Sequence, residues 1–119
     1  MPSPAYSKQK GRDGENPVVA LLRSRGIPAE RRRLTGCSDC GDVASWTGWV
    51  CEVKNQKQLL LGPWLDELEA EVANADRRFP GPFIGGHKGV LVVKRKGYPD
   101  APESWFAVMP FGKFLDLIA

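Results

Sequence analysis

The segment Trp49-Val50-Cys51-Glu52-Val53-Lys54 places the tightest constraint on how this chain folds. Its aromatic and β-branched residues predict a strand. Because side chains alternate along a strand, Glu52 and Lys54 share one face. A carboxylate and an ammonium group within an otherwise apolar strand cost desolvation free energy unless they pair or bind something. The segment therefore predicts a polar site on one face of a sheet.

Length and composition predict one domain. The 119 residues suffice for one core of ordinary size, and the 42% of hydrophobic and 26% of charged residues are typical of a folded globular chain. Residues 1–14 are polar and basic and contain two prolines, so we predict a flexible basic N-terminal arm there. Residues 15–119 are then a single domain.

Apolar periodicity and turn residues predict the order of the elements. We expect helices over residues 16–25, from 63 to about 78, and from Pro110 onward. Further strands are expected over residues 31–34, 42–46, 90–94 and 105–109. This order predicts an α/β fold with α/β/α layers around a central mixed β-sheet.

A third polar residue is expected to join the strand site. Asp42 lies ten residues before Glu52, across the turn at Gly48, and can reach the same place from a neighbouring strand. Two carboxylates suit a hard divalent cation such as Mg²⁺, with Lys54 placed to orient a nucleophile or offset developing charge. Such a site supports hydrolysis of phosphodiesters. An ion pair between Glu52 and Lys54 is the alternative that the pattern leaves open.

Three short segments carry a resemblance to a known family. They are Gly11-Arg12-Asp13-Gly14-Glu15, Gly41-Asp42-Val43 and Cys51-Glu52-Val53-Lys54-Asn55-Gln56-Lys57. In this order they resemble the archaeal-type Holliday junction resolvases and their phage relatives, within the PD-(D/E)xK nucleases, over nearly the whole chain. The resemblance implies a restriction-endonuclease-like fold and a homodimeric, magnesium-dependent endonuclease for branched DNA, in which Mn²⁺ can replace Mg²⁺.

The resemblance also implies roles for particular residues. Asp42 and Glu52 would ligate the metal together with the Val53 carbonyl, and Lys54 would act on the nucleophile. Glu15 matches the family's acidic residue of the first helix, which contributes to the metal site directly or through water. The expected catalytic residues are therefore Glu15, Asp42, Glu52 and Lys54.

Basic residues predict where DNA is bound. Between residues 1 and 34 there are eight basic side chains against three acidic ones, a clustering typical of phosphate-backbone contacts. A merely solvated basic face is the alternative. With Gln56 and Lys57, which follow the strand site, the expected DNA contacts are Lys8, Lys10, Arg12, Arg31, Arg33, Gln56 and Lys57.

Several residues have simpler interpretations. Cys37 and Cys40 have the spacing of half a zinc knuckle, and Cys51 with His87 could formally complete a set of four ligands. Cys51 and His87 are far apart in the sequence, however, which is not typical of a compact zinc module. We expect Cys51 to be a small core residue. His87 is expected to be a solvated loop residue without an orienting partner. Trp64 is the aromatic residue that we expect at a subunit interface.

The remaining sequence features bear on compartment and on alternative functions. The N-terminus lacks the apolar core of a signal peptide, which favours the cytoplasm, or the host cytoplasm if the chain is phage-encoded. No apolar stretch approaches the roughly 20 residues of a membrane span. A nuclease for other DNA structures, and a non-catalytic DNA-binding module whose acids are structural, are the alternatives to a junction resolvase.

Overall fold

Helices and strands follow one another along the chain in the order that the sequence predicts. The computed structural model describes residues 17–32, 40–83 and 85–119, so the predicted arm over residues 1–14 lies outside the described residues. In chain order the elements are α1 (residues 17–24), β1 (Glu30–Arg31), β2 (Val43–Ala44), β3 (Trp49–Lys54), α2 (Leu61–Arg78), β4 (Lys88–Val93), a 3₁₀ turn (Pro102–Ser104), β5 (Phe106–Val108) and α3 (Phe111–Ile118).

The strands form a mixed sheet with a short antiparallel pair beside it. β3 runs parallel to β4, and β5 is antiparallel to β4, which gives the strand order β3-β4-β5. β1 and β2 pair antiparallel, with Glu30 opposite Ala44. The predicted α/β class and the mixed sheet are thus confirmed, although β1 and β2 form a pair separate from the other three strands.

Apolar side chains cover both faces of β3 because its residues alternate. On one face, a cluster joins α1 to the sheet and consists of Val18, Val19, Ala29, Val43, Cys51, Val90 and Trp105. On the other face, a second cluster joins α2 to the sheet and consists of Cys40, Val50, Trp64, Leu68, Ala75, Leu91 and Val93. The two helices therefore pack on opposite faces of β3. The side chains that alternate with Cys51 along the strand, such as Val50 and Glu52, lie on the face that α2 covers.

Among the boundaries that differ from the prediction, two do so for identifiable reasons. α2 begins before Pro63, because the Trp64 N–H donates to the Leu60 carbonyl at 3.0 Å and Pro63 then lies in the first turn, where no donor is needed. β4 begins at Lys88 instead of residue 90, because its parallel partner β3 already starts at Trp49. The predicted ends of the first strand at residues 33 and 34 lie outside the described residues.

The tryptophan expected at an interface belongs to the core. Trp64 is only 6% exposed and packs in the α2 cluster, so that expectation is wrong. Its position is explained by helical spacing, since Trp64, Leu68 and Ala75 occupy one buried row of α2. Exposed apolar side chains are found instead on α3, all of whose residues are exposed. None of the helices in the described part of the chain is long and apolar enough to cross a membrane.

Gly41 allows β2 and β3 to approach each other closely. Its φ of 97° lies in the region that favours glycine, and a Cβ there would stand 2.9 Å from Val50 Cγ1 and 3.0 Å from the Cys51 carbonyl oxygen. The close approach lets the Asp42 N–H donate to the same Cys51 oxygen at 2.8 Å. Gly41 thus fixes the position of Asp42 beside β3.

Replacing Gly41 by alanine is expected to destabilise the fold more than the same change at Gly26. Gly26 also has a positive φ, of 78°, but nothing lies within 4 Å of the position that a methyl group would take there, so Gly26→Ala costs only about 1–2 kcal/mol of backbone strain. Gly41→Ala adds a steric cost of about 1–3 kcal/mol. Urea unfolding of both variants measures the difference. Equal free energies of unfolding for the two variants would show that the approach of β2 to β3 is not tight.

Candidate metal centre

β3 carries Glu52 and Lys54 on the face that α2 covers. Glu52 is 5% exposed and lies opposite Leu91 in the parallel pairing with β4. Lys54, at the end of the strand, has a side chain that is 17% exposed and reaches Glu67 of α2. The acid is thus buried in the layer between sheet and helix, and the lysine lies at the margin of that layer.

Asp42 reaches this layer from the end of β2. Its Oδ2 accepts a hydrogen bond from the Val53 N–H at 2.7 Å, and its side chain also hydrogen-bonds with that of Glu52. Because the carboxylate, and not a backbone carbonyl, accepts from Val53, the regular pairing of β2 with β3 ends here. This is the physical reason for the separate strand pair. Ligation of a metal by the Val53 carbonyl stays a prediction.

α2 adds two carboxylates that the sequence patterns did not assign to the site. Carboxylate oxygens of Glu52, Glu67 and Glu71 all lie within 4.8 Å of one another. Glu71 is only 2% exposed. The first turn of α2 contains no acid, so the helix dipole does not explain the acids of this helix, and Glu71 occupies the same buried row as Leu68 and Ala75. An acid within an apolar row was the sequence signal for this residue.

Crowding and burial change the acidity of Glu52. Burial is the largest effect, and together with the adjacent carboxylate of Glu71 it raises the pKa of Glu52 from 4.5 to about 8. The hydrogen bond with Asp42 and the charge of Lys54 lower this pKa, but by less. Near neutral pH the Glu52 carboxyl group therefore favours a bound proton or a bound cation.

Lys54 remains a cation in these surroundings. Partial burial lowers its pKa, but a hydrogen bond to Glu67 and the charges of Glu52, Glu67 and Asp42 outweigh that effect and raise it. Nζ donates to Glu67 Oε2 at 3.1 Å and lies 5.8 Å from the centroid of the Trp64 ring. A charged ammonium group is thus held at the rim of the acidic cluster.

The donor set fits a hard divalent cation. Every candidate ligand atom is a carboxylate oxygen, which is the type that Mg²⁺ and Mn²⁺ prefer. Glu52 Oε2 is buried and accepts no hydrogen bond from the residues that the structure describes. Glu67, whose side chain is 44% exposed, connects the buried acids with solvent and with any approaching phosphate. The cluster can therefore bind a cation that retains positions for water and substrate.

The other predicted site residues are exposed or lie outside the described residues. Arg31, Gln56 and Lys57 are exposed. Their predicted role in DNA binding stays a prediction. The remaining predicted residues fall outside the described residues, namely Glu15, Lys8, Lys10, Arg12 and Arg33.

The cysteines do not assemble a zinc site in the described part of the chain. Cys40 belongs to the cluster under α2, whereas Cys51 belongs to the cluster on the opposite face of β3. Burial, followed by the charges of nearby acids, raises the pKa of the Cys51 thiol, so this thiol is protonated and packs as a core residue, as expected. Cys37 lies outside the described residues.

The expectation for His87 is wrong. Its side chain is only 7% exposed, and Nδ1 lies 2.7 Å from Asp76 Oδ1. The His87 backbone N–H donates to the same oxygen at 2.7 Å, and these hydrogen bonds hold the pKa of Asp76 below its usual value. His87 therefore has an orienting partner on α2, which the glycines around it in the sequence gave no means of finding.

Comparison of the chain with protein-family models, with curated proteins and with solved structures gave no match. The chemistry of the acidic cluster therefore has to follow from its own geometry.

Raising the pH is expected to destabilise the metal-free protein through Glu52. The pKa of Glu52 is about 8 in the folded chain and 4.5 ordinarily, so the folded state binds the proton more tightly. The stability that this proton contributes is fully present below about pH 4.5 and is lost as the pH rises through about 8. In EDTA, the Tm of the wild type should fall over this range, and that of Glu52→Gln should fall less.

The matched control is Glu69→Gln, because Glu69 is an exposed acid of the same helix. Its Tm should follow the wild-type pH dependence. Identical pH profiles for Glu52→Gln and the wild type would contradict a proton held by Glu52.

Proposed function

We propose that this protein is a divalent-cation-dependent endodeoxyribonuclease of the PD-(D/E)xK type, with a restriction-endonuclease-like fold, that cuts branched DNA. One observation carries the proposal: the buried carboxylate of Glu52 lies among the acids Asp42 and Glu71, with the Lys54 ammonium two residues further along the same strand. The order of one helix, three strands, a helix and a strand supports the fold assignment.

The proposed metal ligands are the carboxylates at the centre of the cluster. Asp42 and Glu52 are the predicted pair, and Glu71 is added because its carboxylate meets that of Glu52. Glu15 and the Val53 carbonyl complete the expected set. A magnesium or manganese ion bound there supplies Lewis acidity towards a phosphodiester oxygen and lowers the pKa of a coordinated water.

Lys54 is the proposed catalytic cation of the chain itself. Its raised pKa keeps Nζ protonated, and the side chain is long enough to move from Glu67 to a phosphate at the rim. There it orients the attacking water and offsets the negative charge that develops on phosphorus oxygens. Glu67, being exposed, accepts the loss of this partner at little cost, because exposed ion pairs are weak.

The substrate class follows from the resemblance and from the distribution of charge. Basic residues concentrate before residue 35 and favour contacts with phosphate backbones over contacts with particular bases. Cutting a four-way junction symmetrically requires two active sites at a fixed spacing, and a two-fold dimer provides them. The exposed apolar residues of α3 offer a surface for a second copy, since Phe111 is 73% exposed and Ile118 is 66% exposed.

The proposal is tested by cleavage of a labelled immobile four-way junction and of a matched linear duplex, with magnesium and with EDTA. Wild type should place paired nicks in the junction only with metal. Glu52→Gln, Glu71→Gln and Lys54→Met should each lower the cleavage rate at least about a hundredfold, because each removes a charge from the reacting site. Affinity for DNA in EDTA should remain within a few-fold of wild type.

Glu69→Gln is the matched control, since it removes an exposed acid of α2 and should leave the rate unchanged. Equal cutting of the junction and the duplex would support the nuclease activity and contradict specificity for junctions. Binding without cleavage of either DNA by the wild type would favour the non-catalytic DNA-binding module.

A further inference from the structure

A groove separate from the candidate metal centre lies between the turn that joins β2 to β3 and the segment that follows α2. Its volume is about 570 Å³, within the range of pockets that hold small ligands. We call it the Trp46 groove, and six of its lining residues define it: Arg32, Trp46, Trp49, Phe79, Phe83 and His87. No carboxylate of the described residues lines it.

Aromatic rings dominate the wall that the turn contributes. Trp46 and Trp49 are stacked, with ring centroids 5.2 Å apart and planes inclined by 18°. Both are partly exposed and line the groove. A flat ligand can extend such a stack, and nucleobases bind indole rings in this way.

Arg32 contributes a positive charge to the groove. Its guanidinium lies 5.7 Å from the centroid of the Phe79 ring, and Nη2 donates to the Val43 carbonyl oxygen at 3.5 Å. Arg32 Nε is buried and donates no hydrogen bond to the residues that the structure describes. A guanidinium beside a groove that no carboxylate of the described residues lines favours an anionic ligand such as phosphate.

His87 is fixed at the end of the groove. Its Nδ1 is hydrogen-bonded to Asp76 Oδ1, and its ring packs edge to face against the Phe83 ring, with the two centroids 4.8 Å apart. A Cβ on Gly86 would stand 2.8 Å from Asp76 Oδ2, so glycine at this position is what lets the carboxylate approach. Nε2 is then the ring nitrogen that can hydrogen-bond with a ligand.

The groove and the acidic cluster are built from the same two elements. Ala75 lines the groove and follows Glu71 by one turn of α2, which is about 6 Å. Val50 also lines it and precedes Glu52 by two residues on the same face of β3, which is about 7 Å. Lys54 and Glu67, at the open margin of the cluster, lie further from the groove along these elements.

We propose that the Trp46 groove binds one unpaired nucleotide of the DNA substrate, with the base stacked on Trp46 and a phosphate on Arg32. A paired base cannot leave its duplex to enter the groove without losing its stacking and pairing. The inference rests on the proposed function and extends its substrate class from fully paired four-way junctions to branched DNA that carries an unpaired nucleotide.

The test is the affinity of the full chain, in EDTA, for a fluorescently labelled duplex with a single-thymidine bulge. The comparisons are the same duplex fully paired and the same bulge without its base. Wild type is expected to bind the thymidine bulge about tenfold more tightly than the paired duplex, as stacking of one base on an aromatic ring implies. Removal of the base from the bulge should abolish this preference.

The variants separate the groove from general DNA binding. Trp46→Ala and Arg32→Gln should each bring the preference close to onefold, while Trp46→Phe retains most of it. Arg95→Gln is the charge-matched control, because Arg95 lies 4.3 Å from the Tyr98 ring centroid and does not line the groove. Since Trp46 also packs against the core, Arg32→Gln provides a test that does not depend on a core side chain.

A wild type that binds bulged and paired duplexes equally would overturn the proposal, and so would a preference that survives both Trp46→Ala and Arg32→Gln. An abasic bulge bound as tightly as the thymidine bulge would also overturn it. The outcome is independent of cleavage. A Trp46-dependent preference in a protein that never cuts DNA would support nucleotide binding in the groove and contradict the proposed nuclease activity. Magnesium-dependent cutting without the preference would support the nuclease activity and contradict nucleotide binding in the groove.

Discussion

Burial of the Glu52 carboxylate is the constraint on which the layer between β3 and α2 depends. An ionised carboxylate in an apolar layer costs several kcal/mol unless a proton, a partner or a cation compensates. Here the nearby Glu71 increases that cost, and the hydrogen bond with Asp42 relieves only part of it. The only nearby ammonium group, among the residues described, is that of Lys54, and its hydrogen bond goes to Glu67. The fold thus holds a cluster that a divalent cation would stabilise.

The backbone around Asp42 shows how the sheet accommodates this cluster. Gly41 brings the strands close enough for the Asp42 N–H to reach the Cys51 carbonyl. The Asp42 carboxylate then accepts a hydrogen bond from the Val53 N–H, and regular pairing between β2 and β3 ends. The break in the sheet and the position of the acid have one cause.

Alternation along one strand was enough to predict the shared face of Glu52 and Lys54, because the side-chain period of a strand does not depend on its neighbours. The order of the elements and the terminal helix after Pro110 were predictable for a similar reason. Glu71 was not assigned, because its role appears only once α2 is packed on β3. The Asp76 contact of His87 joins the end of α2 to a loop eleven residues later, a distance at which sequence patterns carry little information. Trp64 was placed at an interface because size alone does not distinguish core from surface aromatics.

The acidic cluster and the Trp46 groove are two regions of opposite character, both formed in part by β3 and α2. One gathers carboxylates around Glu52, and the other presents arginine and aromatic rings without a carboxylate among the residues described. In the proposed function, a DNA strand that crosses both would place a phosphodiester at the cluster and a base in the groove. Helix α2 supplies residues to each region, so its packing against β3 sets the spacing between them.

Binding of Mn²⁺, followed by electron paramagnetic resonance of the free ion at neutral pH and without DNA, tests the central claim most directly. The account predicts a saturable site in the wild type that weakens at least about tenfold in Glu71→Gln, as loss of a charged ligand implies, and is unchanged in Glu69→Gln. A protein that binds no Mn²⁺ at millimolar concentration, or one whose affinity is indifferent to Glu71→Gln, would contradict it. The buried acids would then be held by protons alone.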